Sequence, residues 1–265
     1  MFSNLGSLLR YRGLIQSLVA RELKARYRGS VLGFVWSFVN PLLLLSIYSF
    51  VFMTILRGND NDPRVTPFAV FLFCGLLPWT WFASSLTEAT SSLISGGNLI
   101  KKVLFPAEVL PIVSVFSNMV HFLLGLPILV AFMVAFRHYP AVGVLPWLPI
   151  VLAVQLIFTL GLAFALSALT VHFRDVRDLL TNVLTLWFFA TPIIYPYFMP
   201  SVNRFLTLFR LNPFYHLAVS YQEILFFGQF GHARSLLLLA VLSVLVFLGG
   251  YWLFDRLRDS FAEAV

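Results

Sequence analysis

Residues 144–171, VLPWLPIVLAVQLIFTLGLAFALSALTV, run through 28 positions without one Asp, Glu, Lys or Arg. A bilayer hydrocarbon core of about 30 Å needs roughly 20 helical residues to cross it. No water there satisfies backbone groups, so a run of this length reads as a membrane-crossing helix. It lacks the alternation that a barrel strand shows. Working outward, five more segments meet the same criterion: 31–56, 67–86, 109–136, 179–199 and 235–254. The connections agree, since 57–66 (RGNDNDPRVT) and 137–143 (RHYPAVG) are polar and turn-rich. Composition points the same way. Hydrophobic residues make up 60% and charged residues 11%, against about 45–50% and about 25% in soluble domains. Mean hydropathy is +0.89. So few charges cannot cover a soluble surface, and the chain is expected to be an all-α integral membrane protein forming one domain over 1–265.

The net charge of +7, set in so apolar a chain, favours anionic lipid headgroups as partners over nucleic acid. Cys74 is the one cysteine, which rules out an intrachain disulfide and any cysteine metal cluster. The first thirty residues are basic and the first long apolar run begins at Val31, so no cleaved secretory leader is expected.

Orientation follows from Lys and Arg. With a cytoplasmic N-terminus, the inner segments hold Arg10, Arg12, Arg21, Lys24, Arg26, Arg28, Lys101, Lys102, Arg174, Arg177, Arg256 and Arg258. The outer segments hold half as many: Arg57, Arg64, Arg137, Arg204, Arg210 and Arg234. Both termini are therefore expected in the cytoplasm. Residues 213–230, PFYHLAVSYQEILFFGQF, would make a seventh span, but that places His216, Gln222 and Glu223 in hydrocarbon. A carboxylate alone costs about 2.5–3.5 kcal/mol there. The expectation is instead a re-entrant helical pair within an extracytoplasmic segment, 200–234, between the fifth and sixth spans. Before the first span, residues 8–29 place Leu8, Tyr11, Ile15, Leu18 and Val19 on one helical face and Arg10, Arg21, Lys24 and Arg28 on the other. Such a helix lies in the membrane interface, although Arg12, Glu22 and Arg26 interrupt its apolar face.

Enzymatic motifs are missing. The sequence has no GxxxxGK[ST] nucleotide loop, no HExxH, no GxSxG and no paired carboxylates in a cleft-forming position. Glu88, Glu108 and His121 are too few for a proton relay. Transport by this chain would need an energy source outside it.

Several separated motifs resemble permease subunits of ABC type-2 exporters, in the branch that exports O-antigen, capsular polysaccharide and teichoic acid. They are 21–41 (RELKARYRGSVLGFVWSFVNP) with its Leu32-Gly33 loop, 75–79 (GLLPW), 98–111 (NLIKKVLFPAEVLP), 173–178 (FRDVRD), 191–196 (TPIIYP) and Asn212-Pro213. The resemblance implies a homodimer of six-span subunits in the cell (inner) membrane, bound to two separate nucleotide-binding ATPase subunits. It also implies that this chain binds no cofactor, with ATP and magnesium on the partner, and that a lipid-linked polysaccharide passes outward through a channel in the dimer.

On that resemblance, Lys101, Lys102, Phe105, Pro106 and Glu108 form the ATPase-coupling element. Pro106 and Glu108 also suit a helix start by themselves. Arg28, Gly29, Leu32 and Gly33 form the cytoplasmic entrance, where Arg28 would meet a pyrophosphate or else belong to a solvated face. Phe34, Trp36, Phe38, Tyr48, Trp187, Phe188 and Tyr195 are channel-lining candidates, since aromatic faces suit sugar C–H surfaces; lipid-facing packing is the plain alternative. Arg174, Asp175, Arg177 and Asp178 form a structural loop holding the fifth span near the interface helix. His216, Gln222 and Glu223 are either an outer gate or packing of the re-entrant pair. The rival functions are a type-2 permease for a small hydrophobic drug or lipid, a membrane-embedded transferase and a scaffold without transport.

Overall fold

The computed structural model describes residues 11–26, 28–51, 63–102 and 105–261, and no strand occurs among them. The helices are α1 (Arg12–Arg26), α2 (Trp36–Ser49), α3 (Phe68–Ser95), α4 (Gly97–Lys102), α5 (Val109–Ala135), α6 (Leu148–His172), α7 (Asp175–Phe189), α8 (Pro200–Asn203), α9 (Leu206–Leu211), α10 (Pro213–Gln222) and α11 (Ala233–Leu257). A π turn, Glu223–Phe227, continues α10. Residues 8–10 of the expected interface helix and 52–56 of the expected first span lie outside the described residues.

Among the described residues four helices are long and apolar enough to cross a membrane: α3, α5, α6 with its preceding 3₁₀ turn from Val142, and α11. The expected first and fifth spans are represented by shorter helices. The difference is largest in 179–199, where α7 stops at Phe189 and 190–199 is irregular. Pro192 and Pro196 explain the stop, because each removes an N–H donor and disfavours helix in the residue before it. At 15 residues, α7 is about 22 Å long, short of a full crossing. Conversely, α3 extends nine residues past the expected end at Leu86, through a Ser- and Thr-rich stretch.

Helix α3 is the hub, contacting α2, α5, α6, α7 and α10. From Phe68 to Trp79 all its residues are buried, so this expected span is wrapped by protein. Helices α5 and α11 keep long apolar faces exposed, including Leu123 and Val130 on one and Leu237, Val241 and Leu245 on the other. The tightest seam joins α6 to α11. A Cβ on Gly250 would collide with the Gly161 carbonyl oxygen, and one on Gly161 would lie 2.6 Å from the Phe247 backbone. Only glycine lets two backbones approach so closely.

The bundle has two distinct ends. One carries α1, α4 and the close of α11; the other carries 137–147 and the turn into α11. Helix α10 links the middle to this second end. Phe214 at its start packs edge-on against Trp79 and at a tilt against Phe82, midway along α3. Phe226, in the π turn after it, reaches Phe71 and His138. All of α10 beyond its first residue except His216 is buried. Its polar side chains therefore face protein, which is why a sequence too polar for a lipid-exposed span is tolerated at that depth.

At the α1 end, Leu18 packs on Val109 and Val113, with Tyr11, Leu14, Ile15, Val19 and Phe105 around them. The apolar face of α1 is thus docked on the start of α5. The chain's close is anchored too: Phe261 is fully buried against Phe254, and His172 Nε2 lies 3.0 Å from Ser260 Oγ.

Candidate functional site

Between α1, α2, α3 and α5 lies a cleft of about 460 Å³. Its polar lining comes from Arg26, Ser37, Asn40, Thr80, Asn118 and His121, and its aromatic lining from Trp36, Phe73, Trp81 and Phe122. Each wall is held in place. The Trp81 indole N–H donates to the Val115 carbonyl at 3.2 Å and its ring lies 5.2 Å from Phe122. Glu88 on α3 accepts from Arg26 on α1 at 2.5 Å and from the Asn118 amide on α5 at 2.6 Å. Arg26 also donates to the Asn118 oxygen at 3.4 Å. One carboxylate therefore ties three helices together beside the cleft. This explains why Arg26 interrupts the apolar face of α1: it turns inward to a partner. Hydrogen-bonding groups around flat aromatic surfaces suit a sugar ring, which offers hydroxyls at its edge and C–H bonds on its faces.

The expected entrance residues form an open turn next to this cleft. Gly29 and Gly33 have left-handed φ of 79° and 50°, conformations in which a side chain is strained, and no neighbour comes near either. Val31 and Leu32 project from the turn, fully and half exposed. Gly29 and Gly33 therefore serve chain reversal here and are not a packing pair. The expected coupling residues are divided. Lys101 is exposed on α4, while Phe105 packs on α1 and Pro106 is buried; the Lys102 side chain lies outside the described residues. Glu108 is 3% exposed and pairs with Arg258, 3.7 Å away at the end of α11. Glu108→Lys is expected to place a second cation against Arg258 inside the fold and to abolish recovery of folded protein. Lys101→Glu should leave the melting temperature unchanged. The yield of monodisperse Glu108→Lys on size exclusion and the thermal unfolding of Lys101→Glu check these.

Over residues 13–226 the sequence matches the family described as ABC-2 type transporter. The chain belongs to this family. It is 42% identical over 260 residues to the O-antigen export system permease protein RfbA of Myxococcus xanthus, covering 97% of each chain. It is 33% identical to a Klebsiella pneumoniae protein of the same name over 98% of this chain and 96% of that one. Similarity to the polysialic acid transport protein KpsM of Escherichia coli is 19% over 93% of both.

In this ABC-2 chain the remaining expected residues fall into separate surroundings. Trp36 lines the cleft, and the Phe34 side chain lies outside the described residues. Phe38 packs against the core. Tyr48, Phe188 and Trp187 join Trp79 in an interior aromatic cluster, with centroids 5.9 Å apart for Tyr48–Phe188 and 6.4 Å for Trp79–Trp187. Tyr195 donates its hydroxyl to the Phe189 carbonyl at 2.6 Å, bracing the irregular segment. Among the described side chains these aromatics fall into separate surroundings and do not line up along one path.

His216, Gln222 and Glu223 likewise turn three ways. His216 Nε2 lies 2.9 Å from the Arg210 carbonyl oxygen. Gln222 donates to the Pro192 carbonyl at 2.8 Å, in space left by Gly75, so the motifs 75–79 and 191–196 meet beside it. Glu223 accepts from the Gly231 and His232 backbone at 2.8 and 3.1 Å and from the His232 ring at 2.6 Å. The loop residues Arg174, Asp175, Arg177 and Asp178 are exposed, and no ion pair joins them among the described residues. Arg177 shares a cavity of about 410 Å³ with Arg21 and Glu22 of α1, and the two aspartates occupy the first turn of α7, where negative charge complements the helix dipole.

Asn118, Thr80, Trp81 and Asn40 were not singled out by sequence reasoning. A lone Asn in the third apolar span was the available signal, since a polar side chain at that depth needs a partner. Asn212 is a second: it caps α10 through Phe214 N at 2.9 Å and accepts from the Trp187 indole at 2.5 Å.

Proposed function

We propose that this chain is the membrane-spanning permease subunit of an ATP-driven exporter that moves a lipid-linked, O-antigen-like polysaccharide from the cytoplasm to the outer side of the cell (inner) membrane. It works as a six-span subunit with both termini in the cytoplasm. Two copies form the channel, and ATP and magnesium act on two separate nucleotide-binding subunits. The observation that carries this reading is the polar, aromatic-lined cleft at the α1 end of a chain whose full length is similar to O-antigen export permeases.

In this reading the α1 end faces the cytoplasm and α4 with Lys101 meets the ATPase. The open turn from Arg28 to Gly33 admits the carrier diphosphate, and leading sugars stack on Trp36 and Trp81 while Asn40 and Asn118 contact their hydroxyls. Helix α7 supports the dimer. Its exposed Asp178, Thr181, Asn182 and Thr185 fall within an arc of about 100°. A polar stripe of that kind in a bilayer needs water or protein beside it. The α9–α10 segment then enters and leaves the outer leaflet as the re-entrant pair.

Complementation of a deletion strain tests this. The intact gene should restore surface polysaccharide, and Trp36→Ala or Asn40→Leu should lower its rate of appearance about tenfold, the equivalent of about 1.4 kcal/mol in a binding step. Membrane levels of the protein should not change, and lipid-linked polymer should accumulate inside. Normal surface polysaccharide in the deletion strain would refute the proposal.

A further inference from the structure

On the other side of α5 from the cleft runs a second groove, of about 570 Å³. Residues 112, 116 and 120 lie on the α5 face roughly opposite Asn118, so the two sites share α1 as a roof and do not share a wall. Ile15 and Val19 of α1, Phe116 and Val120 of α5, Leu160 of α6 and Phe247 of α11 make the groove almost wholly apolar. Arg12, exposed in the first turn of α1, stands on its rim.

From this we infer that the groove binds one acyl chain of an anionic phospholipid, with Arg12 on the phosphate. Three observations favour that occupant. First, an apolar space of this size does not hold water and falls within the range of small-molecule sites, about 300–1,000 Å³. Second, its depth matches one leaflet. Val120, Leu160 and Phe247 lie 11, 12 and 10 residues from the helix ends at Val109, His172 and Leu257. At about 1.5 Å per residue these are about 15–18 Å, half of a hydrocarbon core of about 30 Å. Third, the charge is complementary. Helix α1 carries Arg12, Arg21, Lys24 and Arg26 against Glu22, four basic residues and one acidic, while the exposed apolar faces of α5 and α11 leave lipid free access from the side. The bound lipid would wedge α1 against the bundle. This inference needs only that the chain spans a membrane and is independent of what it transports.

The full chain reconstituted in vesicles tests it, using phosphatidylglycerol carrying a photoactivatable group in its acyl chain. Labelling should concentrate on peptides containing Phe116–Val120 and Phe247 and should exceed that from the same probe built on phosphatidylcholine. Arg12→Gln should lower it about fivefold, the scale of one basic side chain near an anionic headgroup. Leu160→Trp should fill the groove and remove the label, and Val120→Trp serves the same purpose should the first fold poorly. Labelling spread evenly over Leu237, Val241 and Leu245, or equal with both headgroups, overturns the site. Loss of label on adding a polyprenyl diphosphate also overturns it, assigning the groove to the transported lipid.

Discussion

Gly250→Ala is expected to lower the melting temperature sharply, and Gly250→Leu to leave no folded protein, whereas Gly249→Ala should melt at or slightly above the parent. The adjacent glycines differ only in what faces them. Around Gly249 a Cβ meets nothing, while at Gly250 it meets the carbonyl of Gly161. Overpacking against side chains costs about 1–3 kcal/mol because rotamers can shift. Here the obstacle is backbone on both sides, so the whole α6–α11 crossing must open, and the cost should reach the upper end of that range or exceed it. At position 249 the exchange favours helix by up to about 1 kcal/mol. Thermal unfolding of the three variants in one detergent checks the contrast; equal melting of the Gly249 and Gly250 alanine variants would show that the seam is not in contact.

The second large effect is expected at Glu223. Glu223→Leu strands three donors at the entry to α11, and a buried donor left without its partner costs about 1–3 kcal/mol. Glu223→Gln keeps one acceptor oxygen and should fall between the two. If Glu223 belonged to a gate, both variants would alter transport with the fold intact. If it holds the 228–232 turn, as its partners indicate, both should lose stability in step with the acceptors removed. Melting curves beside export rates separate these outcomes.

The parts of this fold legible in the sequence are those fixed by long apolar runs. Residues 109–136 and 235–254 correspond closely to α5 and α11, because lipid demands an unbroken helix whatever packs beside it. The short fifth helix was less legible. Hydropathy carries on through 190–199, and only the two prolines mark where helix gives way. Burial of α3 was not legible at all, since a helix wrapped by protein and one bathed in lipid have equally apolar surfaces. The cleft was hidden for a different reason. Arg26, Glu88 and Asn118 are 30 to 92 positions apart, and their grouping depends on how three helices cross. Sequence does not separate the aromatics that would line a sugar path from those that fill an interior, because the same residue types do both; Tyr48 and Phe188 pack on each other inside this subunit.

Helix α7 buries Leu180, Leu184 and Phe188, one row of side chains a turn apart, and adds Trp187 against Trp79 and Asn212 near its end. Tilting it sacrifices little buried area, while α6 and α11, having no slack, can only travel as a single strut. A working stroke that tilts α7 against that paired strut would be stopped by a disulfide pinning α7 to α3, which makes such a cross-link the most economical brake.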